Sequence, residues 1–168
     1  SFPDGAHAWA PVIDHPECKA AVTWELGVPE GLTAVANGTM VNQWSENGQD
    51  WFRWEEPNPA CTSEMGFAVA DYAIIEAQAE PYPIRYYVYP ADSAAAVFDF
   101  QRVPEAMAVF EQAFGEPYPF SELKIVECGV FGGWGGQEHQ TMISLGNALI
   151  TGNRQYESIV VHECAHQW

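Results

Sequence analysis

The stretch SIVVHECAHQW, residues 158–168, decides how this chain is read. It contains His162-Glu163-Cys164-Ala165-His166, an HExxH pattern. On a helix, residues four apart stand one above the other, so both imidazoles can reach a single ion. Neutral imidazole nitrogen suits zinc better than magnesium or calcium, which prefer oxygen. Glu163 lies beside the two histidines. Zinc brings the pKa of a bound water towards 7, and a neighbouring carboxylate can then act as the base that takes its proton. The opposite face of the same helix carries Val161, Ala165 and Trp168 at i, i+4 and i+7, with Val160 and Cys164 beside them, while Ile159 flanks the histidine face. Burial of that apolar stripe is expected to fix the helix. Three titratable groups on so apolar a helix would be costly to bury without a partner, and a metal supplies one.

Outward from this helix, Asn153 is a candidate N-cap. Residues 141–145 and Leu123–Cys128 are apolar runs of strand length, separated by a glycine cluster at Gly132, Gly133, Gly135 and Gly136. Residues 93–114 place Val97, Phe100, Met107, Phe110 and Phe114 mostly three, four or seven apart, which predicts an amphipathic helix. Pro104 should kink or restart it, and Gly115 should close it. Before residue 92 the pattern changes to period two. Val22, Trp24, Leu26 and Val28 alternate with polar or small residues through 19–28. Pro29-Glu30-Gly31 is a turn, 32–36 can return as a partner strand, and Asn37-Gly38 turns again. Further strands are expected at 51–55, 66–75 and 84–89. The class is α+β, with a β-sandwich-like N-terminal domain over 1–92 and a helix–strand–strand–helix unit over 93–168.

Composition narrows the partners. Six Lys and Arg against 23 Asp and Glu give a net charge of −17, so nucleic acid and anionic lipid would be repelled. No run of about 18 apolar residues offers a membrane span. Cys18, Cys61, Cys128 and Cys164 form no CxxC and no paired pattern, which favours free buried thiols and leaves the compartment open. The chain begins without Met and stops inside the last helix, so both ends are expected to be cut.

Gly135-Gly136-Gln137-Glu138-His139 precedes the HExxH helix, and the tail is HExxHxW in full, ending on Trp168. Together these resemble the M1 family of zinc aminopeptidases, whose signature pairs a GxMEN-type strand with HExxHxW and a distant Glu. The glycine segment matches at Gly135 and Glu138 and departs at Gln137 for Met and His139 for Asn. Trp9-Ala10-Pro11, Asp14-His15-Pro16, Lys19-Ala20, Val28-Pro29-Glu30-Gly31, Ala36-Asn37-Gly38 and Tyr118-Pro119-Phe120 also resemble that family, so the likeness covers nearly the whole chain.

The resemblance implies that residues 93–168 begin a thermolysin-like catalytic domain. It implies that His162 and His166 hold one Zn2+ and that Glu163 is the general base. Glu138 would bind the free α-ammonium of a peptide, with Gly135, Gly136 and Gln137 running beside the substrate. The third zinc ligand, a Glu, and an oxyanion-stabilising Tyr would lie beyond residue 168. Residues 1–168 alone are then expected to bind zinc weakly and to be inactive. His139 could join the substrate contacts or simply pack. Two other readings stay open: a thermolysin-like endopeptidase, and a non-catalytic relative acting as a binding or scaffold protein. Preferred N-terminal residue and oligomeric state are not legible.

Overall fold

The computed structural model describes residues 5–77, 79–129 and 135–168. Thirteen helices and strands carry the fold. Strand β1 (Lys19–Pro29) pairs antiparallel with β4 (Gln49–Cys61), whose other edge takes β3 (Thr39–Glu46). The β3–β4 turn is Asn47-Gly48 with φ of 53° and 74°, the pair of positive angles that a two-residue hairpin of matching twist requires. Strand β2 (Thr33–Ala36) pairs with β5 (Phe67–Ala70) rather than with β1, so the expected return onto the first strand is corrected. The expected strand at 66–75 is two strands in different sheets, β5 and β6 (Ala73–Ala77), joined through Asp71 and Tyr72. The Tyr72 hydroxyl donates to the Glu127 carbonyl at 2.9 Å, which turns the chain from one sheet into the next.

The third sheet is mixed. Its order is β6, β7 (Ile84–Val88), β8 (Leu123–Cys128), β10 (Met142–Gly146), β9 (Gly136–Gln137), with β7, β8 and β10 parallel and both edges antiparallel. It draws β6 and β7 from before residue 92 and the other three strands from after it. The parallel step from β7 to β8 needs a crossover, supplied by α1 (Ser93–Asp99) and α2 (Val103–Phe114). The helix breaks between Phe100 and Val103 and restarts with Pro104 in its first turn. The Phe100 carbonyl at the break accepts from Val103 N at 3.0 Å and from Tyr86 Oη at 3.1 Å. Gly115 closes α2 at φ 74°, as expected.

The mixed sheet is the middle layer. Ile84, Tyr86, Leu123, Ile125, Ile143 and Leu145 face the helices, where they meet Phe100, Met107, Val160 and Cys164. Alternate residues Tyr87, Val126 and Met142 face the other way, onto Val28, Val35, Phe52 and Trp54 of the β layer. Period-two alternation therefore feeds two cores from one sheet.

Helix α3 (Glu157–Ala165) packs on the helical side of that sheet. Its N-cap is Tyr156, not Asn153. Asn153 Oδ1 instead accepts from Thr151 Oγ1 and Gln155 N, both at 2.9 Å, which builds the preceding turn. The backbone N–H groups of Thr151, Gly152 and Arg154 donate to the Asp99 carboxylate at 2.7–2.8 Å, fixing where α3 begins. Burial pushes the Asp99 carboxyl up, but those donors outweigh it and hold it below the usual range. The buried side of α3 is Val160, Glu163 and Cys164, with Gln167 after it, while Val161 and Ala165 are only half-buried. The buried stripe is thus rotated from the expected one, because α3 must bring Glu163 against the sheet edge.

Candidate active site

The site sits where the edge strand β9 meets α3. Strand β9 hydrogen-bonds to β10 on one side only, with Gln137 opposite Ser144 and Gly136 opposite Leu145, so its outer edge is unpaired among the described residues. Gly135 enters it at φ 83°, where a Cβ would stand 3.1 Å from Leu149 Cδ1. A Cβ on Gly136 would stand 2.8 Å from Glu163 Oε1, so the missing side chain is what lets the carboxyl lie against the strand. Gly132 and Gly133 of the expected cluster lie outside the described residues.

His162 and His166 are exposed on one side of α3, and their Nε2 atoms point at each other 3.1 Å apart. Two nitrogens bound to one tetrahedral zinc at about 2.05 Å stand roughly 3.3 Å apart, so the pair fits a zinc ion. Among the described residues no group of three or more His, Cys, Asp or Glu side chains is arranged to hold a metal. Glu163 is 5% exposed. Burial and then the charge of Glu138 push its carboxyl up, while His162 and His166 pull it back.

A cavity of about 480 Å3 joins these groups. Its walls are Gly136 and Gln137 of the edge strand with Glu138 just after it, and Ser158, Ile159, His162 and Glu163 of α3 with His166 at its C-cap. Gln137 Nε2 donates to Glu138 Oε2 at 3.0 Å, which orients the carboxylate at the cavity wall. Every candidate residue named from the sequence is here except Gly135, which sits one residue before the wall. His139 is turned away from this cavity. It is buried, its Nδ1 is 3.0 Å from Ser144 Oγ, and burial pulls its pKa down to about 4, so it packs as a neutral ring.

The sequence reading missed two side chains that hold this arrangement, Gln167 and Asn37. Gln167 Oε1 accepts from Thr141 N at 2.9 Å and its Nε2 donates to the Glu138 carbonyl at 3.1 Å, tying the end of α3 to the substrate-side strand. Asn37, fully buried, donates through Nδ2 to the carbonyls of Glu64 at 2.9 Å and Gln140 at 2.6 Å, and its Oδ1 accepts from Gly66 N at 2.7 Å. Glu64 thereby stands across from Glu138. Only the position of Gln167 inside HExxHxW hinted at any of these. Trp168 is structural: its Nε1 donates to the Glu116 carbonyl at 3.1 Å and its ring packs on Phe110, Phe114 and Tyr118. All four cysteines are free, but the expectation of buried thiols holds only for Cys164: Cys18 is exposed and Cys61 and Cys128 are half-buried, and burial pushes the Cys164 thiol up to about 12.

No family model matches the chain. Aminopeptidase 2, mitochondrial, of Saccharomyces cerevisiae is 24% identical over 174 residues, covering 99% of this chain and 18% of the relative. Aminopeptidase B of Mus musculus is 25% identical over 162 residues, covering 96% of this chain and 24% of the relative. The crystal structure of an M1 zinc metallopeptidase from Deinococcus radiodurans superposes with a TM-score of 0.79 at 21% identity, over all of this chain and 38% of that one. The chain is similar in sequence to curated aminopeptidases and in fold to M1 zinc metallopeptidases. Its α+β fold is that of the corresponding part of the M1 metallopeptidases, as expected from the sequence. It spans about a fifth of the length of the curated aminopeptidases it matches. Among the described residues no helix is long and apolar enough to cross a membrane.

Proposed function

We propose that the intact protein is a zinc-dependent aminopeptidase that removes the N-terminal residue of peptides. The observation that carries this reading is Glu138, which directly follows the edge strand β9 and shares one cavity with Glu163, His162 and His166. A peptide laid along β9 gains main-chain hydrogen bonds as an added strand, and Glu138 at the cavity wall meets its α-ammonium. That places the first peptide bond over α3. His162 and His166 would hold the zinc, whose chemistry when bound would be to lower the pKa of a water and to act as a Lewis acid. Glu163, pushed up by burial, takes one proton and returns it to the leaving amine.

The domain assignment follows the same reading. Residues 1–92 form the N-terminal β unit and 93–168 begin the thermolysin-like unit, with the β6–β7 hairpin of the first completing the sheet of the second. The third zinc ligand comes from outside the described residues, since these bring two donors where a His2Glu site needs three. Residues 1–168 expressed alone are therefore expected to take up zinc weakly and to hydrolyse no peptide. Tight one-to-one zinc uptake in a metal titration of that piece would overturn the ligand assignment.

Glu138→Ala in the intact protein tests the exopeptidase reading. Hydrolysis of free-amine substrates should fall about 100-fold or more, since a charge-assisted contact is lost along with positioning. N-acetylated peptides should be cut by neither form. Equal cleavage of acetylated and free peptides, unaffected by the substitution, would instead identify an endopeptidase.

A further inference from the structure

We propose that the cavity holding Met65, Cys128 and His139, on the opposite face of the mixed sheet from the HExxH helix, is a metal site of its own that takes a monovalent soft cation, Cu(I). This goes beyond the aminopeptidase reading and uses none of the residues that reading assigns.

Strand alternation builds the cavity. Val126 and Met142 face the β layer, so Cys128 and Ser144, each two residues further along β8 and β10, face it as well. Helix α3 lies on the other face, with Ile143 and Leu145. The space enclosed is about 340 Å3, with Met65 and His139 in its walls. The rings of Trp9 and Phe67, edge to face at 6.3 Å, line it too. Ser144 stands between the thiol and the imidazole. Its Oγ is 3.0 Å from His139 Nδ1, and its hydrogen bond to Cys128 partly offsets the burial that pushes that thiol up. Sulfur and ring therefore flank one hydroxyl. Met65 enters just before β5, and the next residue, Gly66, lies against the His139 ring: a Cβ there would stand 3.2 Å from Nδ1.

The donors set the choice of ion. Thiolate and thioether sulfur are the soft ligands that select Cu(I), and imidazole suits copper as well. His139 is a neutral ring. In the tautomer whose Nδ1–H donates to Ser144, Nε2 carries the free lone pair, and an oxygen on the other nitrogen is what metal-bound histidines usually have. Charge points the same way. Among the described residues no carboxylate lines this cavity, so a bare thiolate there has no cation and a divalent ion has one anion only. Cu(I) replacing the thiol proton leaves a neutral sulfur–copper unit, with the proton passing to solvent and no change of oxidation state. Zn2+ in the same place would leave one positive charge uncompensated among aromatic walls. The pair His162 and His166 offers nitrogen without sulfur, so the two places sort metals by softness.

The test is made on the intact, zinc-loaded protein without oxygen, with Cu(I) supplied as its bicinchoninate complex. One Cu(I) per chain should leave the chelator, a thiolate-to-copper absorption should appear in the near ultraviolet, and zinc content should stay unchanged. X-ray absorption at the copper edge should show two sulfur neighbours and one nitrogen. Cys128→Ser should abolish both uptake and the band. Met65→Leu, which keeps the volume, should weaken binding at least as much as loss of an outer-shell partner does, about 10- to 100-fold. Ser144→Ala, which removes that partner, should fall in the same range of about 10- to 100-fold. No transfer of copper from bicinchoninate overturns the proposal without any variant. Uptake that releases zinc also overturns it, because the copper then sits on His162 and His166. Uptake that survives Cys128→Ser places the ion on another thiol, such as the exposed Cys18, and overturns it too. If Cys128→Ser does not fold, Met65→Leu decides: unchanged affinity, with one sulfur at the copper edge, sinks the site.

Discussion

Glu163→Gln in the intact protein is expected to lower kcat by about a thousandfold, within the range that general-base catalysis contributes, with KM changed only slightly. Glutamine keeps the volume of the side chain and its contact with Gly136, where there is room for a carboxyl and nothing larger. What it loses is the ability to accept a proton. Glu163 is suited to that task by its surroundings: burial and Glu138 raise its carboxyl toward the working pH, and the two histidines keep it from rising further. Zinc content should not change, because the two Nε2 atoms that converge at 3.1 Å belong to His162 and His166 and do not depend on Glu163. His162→Ala should behave differently, losing metal and activity together. Metal analysis alongside the kinetics separates the two. A loss under 10-fold for Glu163→Gln at full zinc content would mean that another group is the base.

The part of the site legible in the sequence is the part that is local. HExxH places two imidazoles and a carboxylate through the geometry of one helical turn, while Glu138 was singled out only by the resemblance of Gly135–His139 to a family signature. A strand with one more buried face was legible for the same reason, as in β1, and β7 was legible as a short aromatic and β-branched run. Strand β3 was not: nearly all its residues are exposed, so it carries no alternation, and its Trp44 stacks on Trp51 at 5.8 Å on the outside of the sheet. The partner of β2 was not legible because pairing with β5 closes a loop of about 30 residues, and no local pattern records which strand returns. Glu64 reads as a solvated acid in a Ser-Glu-Met stretch. It becomes part of the cleft only because Asn37, 27 residues away, binds its carbonyl together with that of Gln140. The helix start was misplaced for a related reason. Asn153 is a good cap by type, but its side chain is used one turn earlier, and the orphan donors before α3 go to Asp99 on another helix.

Gly38→Ala is expected to remove about 4 kcal/mol or more of folding stability, most of what a marginally stable domain has. Gly38 has φ 79°, and a Cβ there would fall 2.0 Å from the Glu55 carbonyl oxygen, a backbone atom that cannot swing aside. Relief requires moving Gly38 itself, which breaks its N–H bond to Thr141 Oγ1 at 2.7 Å. It also withdraws the Gly38 carbonyl from Lys124 Nζ, leaving a fully buried ammonium with Glu122 as its remaining hydrogen-bond partner at 2.8 Å. Burial already pulls the Lys124 pKa down, so the loss of an acceptor falls on a group with little to spare. Gly31→Ala is the control. Its φ of 88° is equally left-handed, but a Cβ there meets nothing within 4 Å, so only the backbone penalty of about 1–2 kcal/mol applies. Urea titrations of the intact protein should therefore separate the two variants by at least about 2 kcal/mol. If they unfold alike, the Asn37-Gly38 contact is not what joins the β layer to the strand bearing Glu138. If they separate as expected, Gly38→Ala should also cost activity beyond its unfolded fraction, because the same contact sets Glu64 and Gln140 in place beside the cleft.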